Sequence, residues 1–247
     1  MRRTLTLISL GVAAFALSLL AFLPASLIAR VLPAGVTADD LSGTLWNGAS
    51  ESVRVGNRQI GALRWKVHPL ALFRGRVALD AQITQVYGRA SGNVSLGFGG
   101  RVDVENLEAR WAVAALPIGV LPPGWTGQLQ ASLPLLRLRG AALHAARGTV
   151  DASDLREPPP NGVAVGSYRV TFDDAQQQPG RVVGQLRDTD GPMQVAGTIT
   201  IGADRSYVID GLVAARPTAP PSMVNQLRYL GTPDVQGRRP FSLAGTY

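Results

Sequence analysis

The sequence predicts a mainly β protein: an N-terminal single transmembrane helix, then an antiparallel, one-sided and curved sheet or a sandwich, with one short C-terminal helix. Three observations predict it. An uncharged apolar run spans Leu5–Ala29, apolar and polar residues alternate with a period of two through much of the chain after Arg30, and one segment near the end repeats at helical spacing.

The apolar run, LTLISLGVAAFALSLLAFLPASLIA, lies between Arg2-Arg3 and Arg30. At about 1.5 Å per residue its reach is about 37 Å, enough to cross a hydrocarbon core of about 30 Å with tilt. Pro24 stands near the far end, where a kink or early stop is tolerable. A cleaved signal peptide would carry a shorter apolar stretch and a small-x-small site, and Ala21–Ala25 is a poor one. The expectation is therefore an uncleaved anchor over 5–29, a cytoplasmic tail over 1–4, and a β-rich periplasmic domain over 30–247. The two leading arginines orient it by the positive-inside rule.

Strands follow from alternation. Arg76–Thr84 places Val77, Leu79, Ala81 and Ile83 on one face; Met193–Ile201 does the same with Met193, Val195, Ile199 and Ile201. Ala203–Ser206 reads as a turn into Tyr207–Val213, making a hairpin. Arg101–Glu105, Gln128–Leu133 and Tyr168–Phe172 share the period, the pattern of a sheet with one polar face. Gly75, Gly88, Gly92, Gly140, Gly148, Gly184 and Gly197 read as strand-end turn or bulge positions. Gly97–Gly100 reads as a hairpin turn rather than a phosphate loop, since no helix pattern follows it. The proline-rich stretch Glu157–Gly162 is the best candidate for a loop or internal boundary. After Pro220-Pro221, Ser222 offers an N-cap, Met223, Val224, Leu227 and Leu230 form one apolar face, Gly231 suits the C′ position and Pro233 stops continuation.

Composition removes most chemistry. The chain of 247 residues has no cysteine, which excludes disulfides, thiol nucleophiles and cysteine metal sites, and only two histidines, His68 and His144. The adjacent pairs Asp39-Asp40 and Asp173-Asp174 would point to opposite strand faces, and no nucleophile elbow is present. No enzymatic activity, cofactor or metal is expected. A formal charge of +7 comes from scattered arginines, Lys66 being the one lysine, with no basic stripe for a nucleic-acid partner. Trp46, Trp65, Trp111 and Trp125 are expected as core anchors whose indole N–H meets a backbone acceptor, or as the lining of an apolar groove or partner surface.

Two stretches carry a resemblance. Leu41–Ser50 (LSGTLWNGAS), with Trp65–Leu72 downstream, and the C-terminal block Ala215–Tyr247 resemble the type II secretion system protein N family. That resemblance implies a non-enzymatic inner-membrane accessory component of the secretion machinery. It would act by protein–protein contacts in the periplasm while folded proteins are exported across the outer membrane. The implied partners are other type II secretion subunits, the inner-membrane platform or the secretin, together with the inner membrane itself. The family is also distantly similar to envelope proteins with lipid-handling β-grooves, so lipid binding is the alternative. The interaction or fold-motif residues singled out are Trp46 and Asn47 in the first stretch, and Leu230, Gly231, Pro233 and Asp234 in the second.

Overall fold

A computed structural model describes residues 11, 15, 18–30, 32, 35–56, 58–116, 123–160, 162–174 and 180–246. The chain divides into two compact units, Met1–Gln85 and Val86–Tyr247.

The first unit holds β1 (Val36–Gly43), β2 (Asn47–Val55), β3 (Arg58–His68) and β4 (Val77–Gln85), each antiparallel to the next. Its buried positions include Val53, Trp65 and Ser50, whose hydroxyl donates to the Asp39 carbonyl at 2.7 Å. The expected strand at Arg76–Thr84 is β4, displaced by one residue.

The N-terminal expectation is corrected here. Among the described residues no helix is long and apolar enough to cross a membrane. That finding overturns both the single transmembrane helix over Leu5–Ala29 and the single-pass inner-membrane placement built on it. The last part of the run belongs to the fold instead. Pro24, unable to continue the helix ladder, makes an isolated antiparallel bridge to Thr44, and Leu45 N–H donates to the Leu23 carbonyl at 2.8 Å. Ala25–Arg30 then winds into a 3-10 helix against β1 and β2, with Ala25 only 1% exposed. Residues 1–10, 12–14, 16 and 17, on which the tail and much of the expected span fall, lie outside the described residues.

The second unit holds β5 (Gly88–Leu96), β6 (Arg101–Ala112), β7 (Thr126–Arg139), β8 (Ala142–Arg156), β9 (Ala164–Phe172), β10 (Arg181–Asp190), β11 (Met193–Gly202), β12 (Ser206–Ala215) and β13 (Arg239–Thr246). Each is again antiparallel to its sequence neighbour, which confirms the expected antiparallel sheet. Cross-strand register sorts the faces. Leu107, Ala109 and Trp111 lie beside Leu133, Ala131 and Leu129 on one face, and the row continues through Val150, Val170, Leu186, Val195 and Val213. On the other face Glu108 accepts from the Ser132 hydroxyl, Arg110 donates to Gln130, and Arg169 pairs with Asp151. The apolar face bends over itself: Ala131 and Leu133 of β7 share one buried cluster with Ala146, Phe172 and Val182 of β8, β9 and β10.

Bulges keep that sorting intact over long strands. Asn106 and Asp154 take left-handed backbone at φ 52° and 54°, a conformation Asn and Asp tolerate, at positions where pairing with β5 and β9 slips by one residue. Without those slips, Leu107 and Leu155 would point to the polar face.

Several glycines expected as turns are strand residues with a different task. Gly88 lies directly opposite Trp111, Gly184 opposite Phe172, Gly211 opposite Phe241, Gly245 opposite Tyr207, and in the first unit Gly48 opposite Trp65. In each case the ring covers the place a Cβ would fill, at 2.3–2.8 Å from it. Gly75 and Gly140 are turns as expected, with φ of 68° and 60°.

Gly88→Ala is expected to cost about 1–3 kcal/mol, because the new methyl group displaces the buried Trp111 ring. Urea unfolding should show a lower midpoint at unchanged slope. Gly97→Ala, whose Cβ meets nothing nearer than 3.8 Å, should shift the midpoint far less.

Candidate functional site

Toward the open end of the second unit the apolar face is not filled by its own sheet. A groove of about 490 Å³ remains there. Its floor is Leu186, Val195, Ile209 and Val213, and its far wall is Phe241 and Leu243 of β13. Trp125 and Tyr168 close the opposite side, and Glu157 and Gln226 bring polar groups to the rim. Tyr168 donates its hydroxyl to the Val165 carbonyl at 2.9 Å. Burial pushes the Tyr168 phenol pKa up, and the nearby Asp188 carboxylate adds to the rise.

The roof is helix α1 (Pro221–Leu227), with Met223, Leu227 and Leu230 turned into the groove. The apolar spacing seen in the sequence is real, but the helix boundaries differ. Pro220 is the N-cap and Ser222 lies inside the helix, because Pro221 supplies a ready-made first-turn φ. The helix ends at Leu227, and three-residue-spaced hydrogen bonds carry the winding on to Leu230. Gly231 is past that point and is not left-handed; its place is set by Pro240, whose ring would sit 3.0 Å from a Cβ.

Two polar clusters hold this roof. Arg216, at the end of β12, donates to the Gly191 carbonyl at 2.7 Å and pairs with Asp188, which also accepts from Val195 N–H at 2.7 Å. Asp188 is 8% exposed and Arg216 37%, so this pair is largely desolvated and pins the β10–β11 hairpin to the segment entering α1. Asp234 organises the return to β13: it accepts from the backbone N–H of Gln236 and Arg238, both at 2.9 Å, and from the Arg238 guanidinium at 2.8 Å. Desolvation acts to raise the Asp234 pKa, but those hydrogen bonds outweigh it and hold the carboxyl below its ordinary value. Arg239 donates to the carbonyls of Leu230 and Gly231, joining the end of the roof to the start of β13.

The residues singled out from sequence therefore fall into two groups. Leu230 lines the groove, Gly231 and Asp234 shape the connection behind it, and Pro233 lies in that same connection. Trp46 and Asn47 are in the first unit, at the β1–β2 turn. Trp46 donates its indole N–H to the Leu20 carbonyl at 2.7 Å, and the Asn47 carbonyl accepts from Thr44 N–H at 2.9 Å. Trp65 meets the expected backbone acceptor, the Leu45 carbonyl at 3.1 Å, whereas the buried Trp111 indole N–H has no partner among the described residues. The Arg216–Asp188 pair and the Phe241–Leu243 wall escaped the sequence reading. Alternation over Phe241–Leu243 was the available signal for the second; nothing local announces a pair 28 residues apart.

A second hollow, about 320 Å³, is basic: Arg101, Arg137, Arg139 and His144 line it. Asp103 bridges Arg101 and Arg137 there at 2.9 Å each. Burial acts to raise the Asp103 pKa, and the two guanidinium groups overcome it and bring it below the ordinary value. Among the described residues no cluster of His, Asp and Glu could hold a metal ion.

Arg216→Ala leaves a carboxylate in the interior, and a loss of about 3 kcal/mol is expected, the low end for a broken buried pair because Arg216 keeps partial solvent contact. Denaturant titration measures it. Asp234 has its folded pKa depressed, so its contribution is complete above the unfolded value and is lost as pH falls through the depressed folded one. Hydrogen exchange should show the Gln236 and Arg238 amides protected at neutral pH and opening only below the ordinary carboxylate range.

With the groove and its roof described, the comparisons acquire a structural setting. The family model for type II secretion system (T2SS), protein N, matches residues 34–242. The type II secretion system protein N of Aeromonas hydrophila is 26% identical over 260 aligned positions, covering 99% of each chain. The protein of the same name from Vibrio cholerae serotype O1 is 28% identical over 225 positions, covering 87% of this chain and 86% of its own. No solved structure matches this chain. A match that takes in both units and reaches into β13 leaves little of the chain unaccounted for, and on it this chain belongs to the type II secretion system protein N family.

Proposed function

We propose that the chain works by protein–protein contacts during the export of folded proteins across the outer membrane, with the roofed groove and the edge of β13 as a contact surface. Membership of the family carries with it a non-enzymatic, contact-based role in the type II secretion system. The observation that supports the finer reading is the groove itself: an apolar slot beside a strand that, among the described residues, is paired on one side only. A slot of that kind suits an extended segment of another secretion subunit, from the inner-membrane platform or the secretin. Backbone bonds to β13 would set its register, and alternate side chains would enter between Phe241, Leu243 and α1. Leu230, Gly231, Pro233 and Asp234 would act by shaping that slot, and Trp46 and Asn47 by holding the β1–β2 turn of the first unit.

The apolar lining also favours a second reading, a lipid-handling groove. Mass spectrometry of lipids extracted from protein purified without detergent separates the two. A stable, empty protein counts against lipid.

In a strain lacking the gene, exported proteins should remain folded inside the cell envelope, and the wild-type chain should restore release. Leu230→Asp should restore it poorly at an undiminished level of folded protein. Normal release in the deletion strain would sink the proposal.

A further inference from the structure

One end of the first unit presents an apolar surface that its own strands do not use. The β3–β4 connection is the 3-10 turn Pro69–Arg74, closed by Gly75, whose N–H donates to the Leu72 carbonyl at 2.9 Å, while Arg76 N–H donates to Ala71 at 3.2 Å. The turn is thus held by its own backbone, and its large side chains point away from the fold: Phe73 is 89% exposed and Leu70 76%. Beside it, Val67 N–H donates to the Trp46 carbonyl at 2.7 Å, which sets the β1–β2 turn against the start of this connection. The Trp46 indole in turn donates to the Leu20 carbonyl, bringing the exposed Leu19, Leu20 and Phe22 to the same end. Three segments far apart in sequence therefore converge on one apolar rim.

The charge around that rim has one sign. Arg74 and Arg76 flank Phe73, both exposed, and no acidic residue occurs from Pro69 to Val77. Asp80, the first acid along β4, is engaged by His68 at 2.9 Å. Apolar side chains on a rigid tip, a tryptophan behind them and arginines at the collar match the layering of a bilayer surface. Acyl chains take the leucines and phenylalanine, headgroup phosphates take the guanidinium groups, and Trp suits the boundary.

We propose that this end of the first unit seats on an anionic phospholipid bilayer, with Phe73 and Leu70 entering the acyl boundary and Arg74 and Arg76 on the phosphates, without crossing it. The proposal concerns a surface separate from the groove and does not depend on the export reading.

The chain has no cysteine, so single probes can be placed cleanly. Leu72→Cys sits in the turn, and Val55→Cys sits at the opposite end of β2, itself exposed and apolar. Each full-length variant carries an environment-sensitive fluorophore and is mixed with vesicles of phosphatidylcholine plus phosphatidylglycerol, or of phosphatidylcholine alone. The expected result is a blue shift at position 72, quenched by spin-labelled lipid, in the anionic vesicles and not at position 55. Arg74→Gln with Arg76→Gln should weaken insertion of the turn by about five-fold per arginine, and added salt should do the same. A probe at 72 that stays in water would hand the rim to a protein partner and overturn the proposal. So would equal shifts at 55 and 72, or equal shifts in both kinds of vesicle.

Discussion

A one-sided sheet has to bring its apolar face together without filling it with bulk. In this protein that is done by laying an aromatic ring across a glycine on the neighbouring strand. Trp65 covers Gly48, Trp111 covers Gly88, Phe241 covers Gly211 and Tyr207 covers Gly245. Phe172 has a glycine on each side, Gly148 in β8 and Gly184 in β10. A ring lying flat makes the layer above the sheet thin, so strands can bend toward one another and still bury side chains at the density of an interior. The cluster that joins β7 to β10 depends on that bend, with Val182 fully buried beneath it.

The same face becomes a groove where that filling stops. On the Gly197–Gly211 rung the strands meet as backbone alone, and only the Phe241 ring reaches in from the edge strand. The space is then bounded by a short helix that could not hold its shape in isolation. What keeps it in place is electrostatic and local: a desolvated arginine–aspartate pair before the helix and an aspartate-centred turn after it. The C-terminal block, which in sequence looks like a conserved-length tail of prolines and glycines, is therefore a roof, its support and the last strand. A contact role in a secretion machine is in keeping with such a site, since nothing in it activates a nucleophile or moves a proton.

Much of the strand content was legible because one polar face and one apolar face leave a period of two, as in β4, β11 and β12. The apolar face of α1 was legible for the corresponding reason at helical spacing. The N-terminal run misled, since length and hydropathy measure only what a segment could do alone. Once Pro24 bridges to Thr44 and Ala25 is enclosed, part of the run serves the β unit instead. The glycines misled in a similar way. A glycine in a turn and a glycine beneath a ring are identical in sequence, and the ring that distinguishes them comes from another strand.

Taken alone, the sequence determined the β class, the sidedness of the strands, the absence of thiol chemistry and the family resemblance, because these rest on composition and on spacing within a single element. Only the tertiary structure decided which glycines lie under rings, that Arg216 reaches Asp188, that Phe241 faces Leu230 across a groove, and that Trp46, Phe73 and Phe22 share one rim. Each of those depends on cross-strand register and on where the chain turns back. Register is a property of paired strands, set by bulges at residues such as Asn106 and Asp154 whose effect appears only when the neighbour is in place.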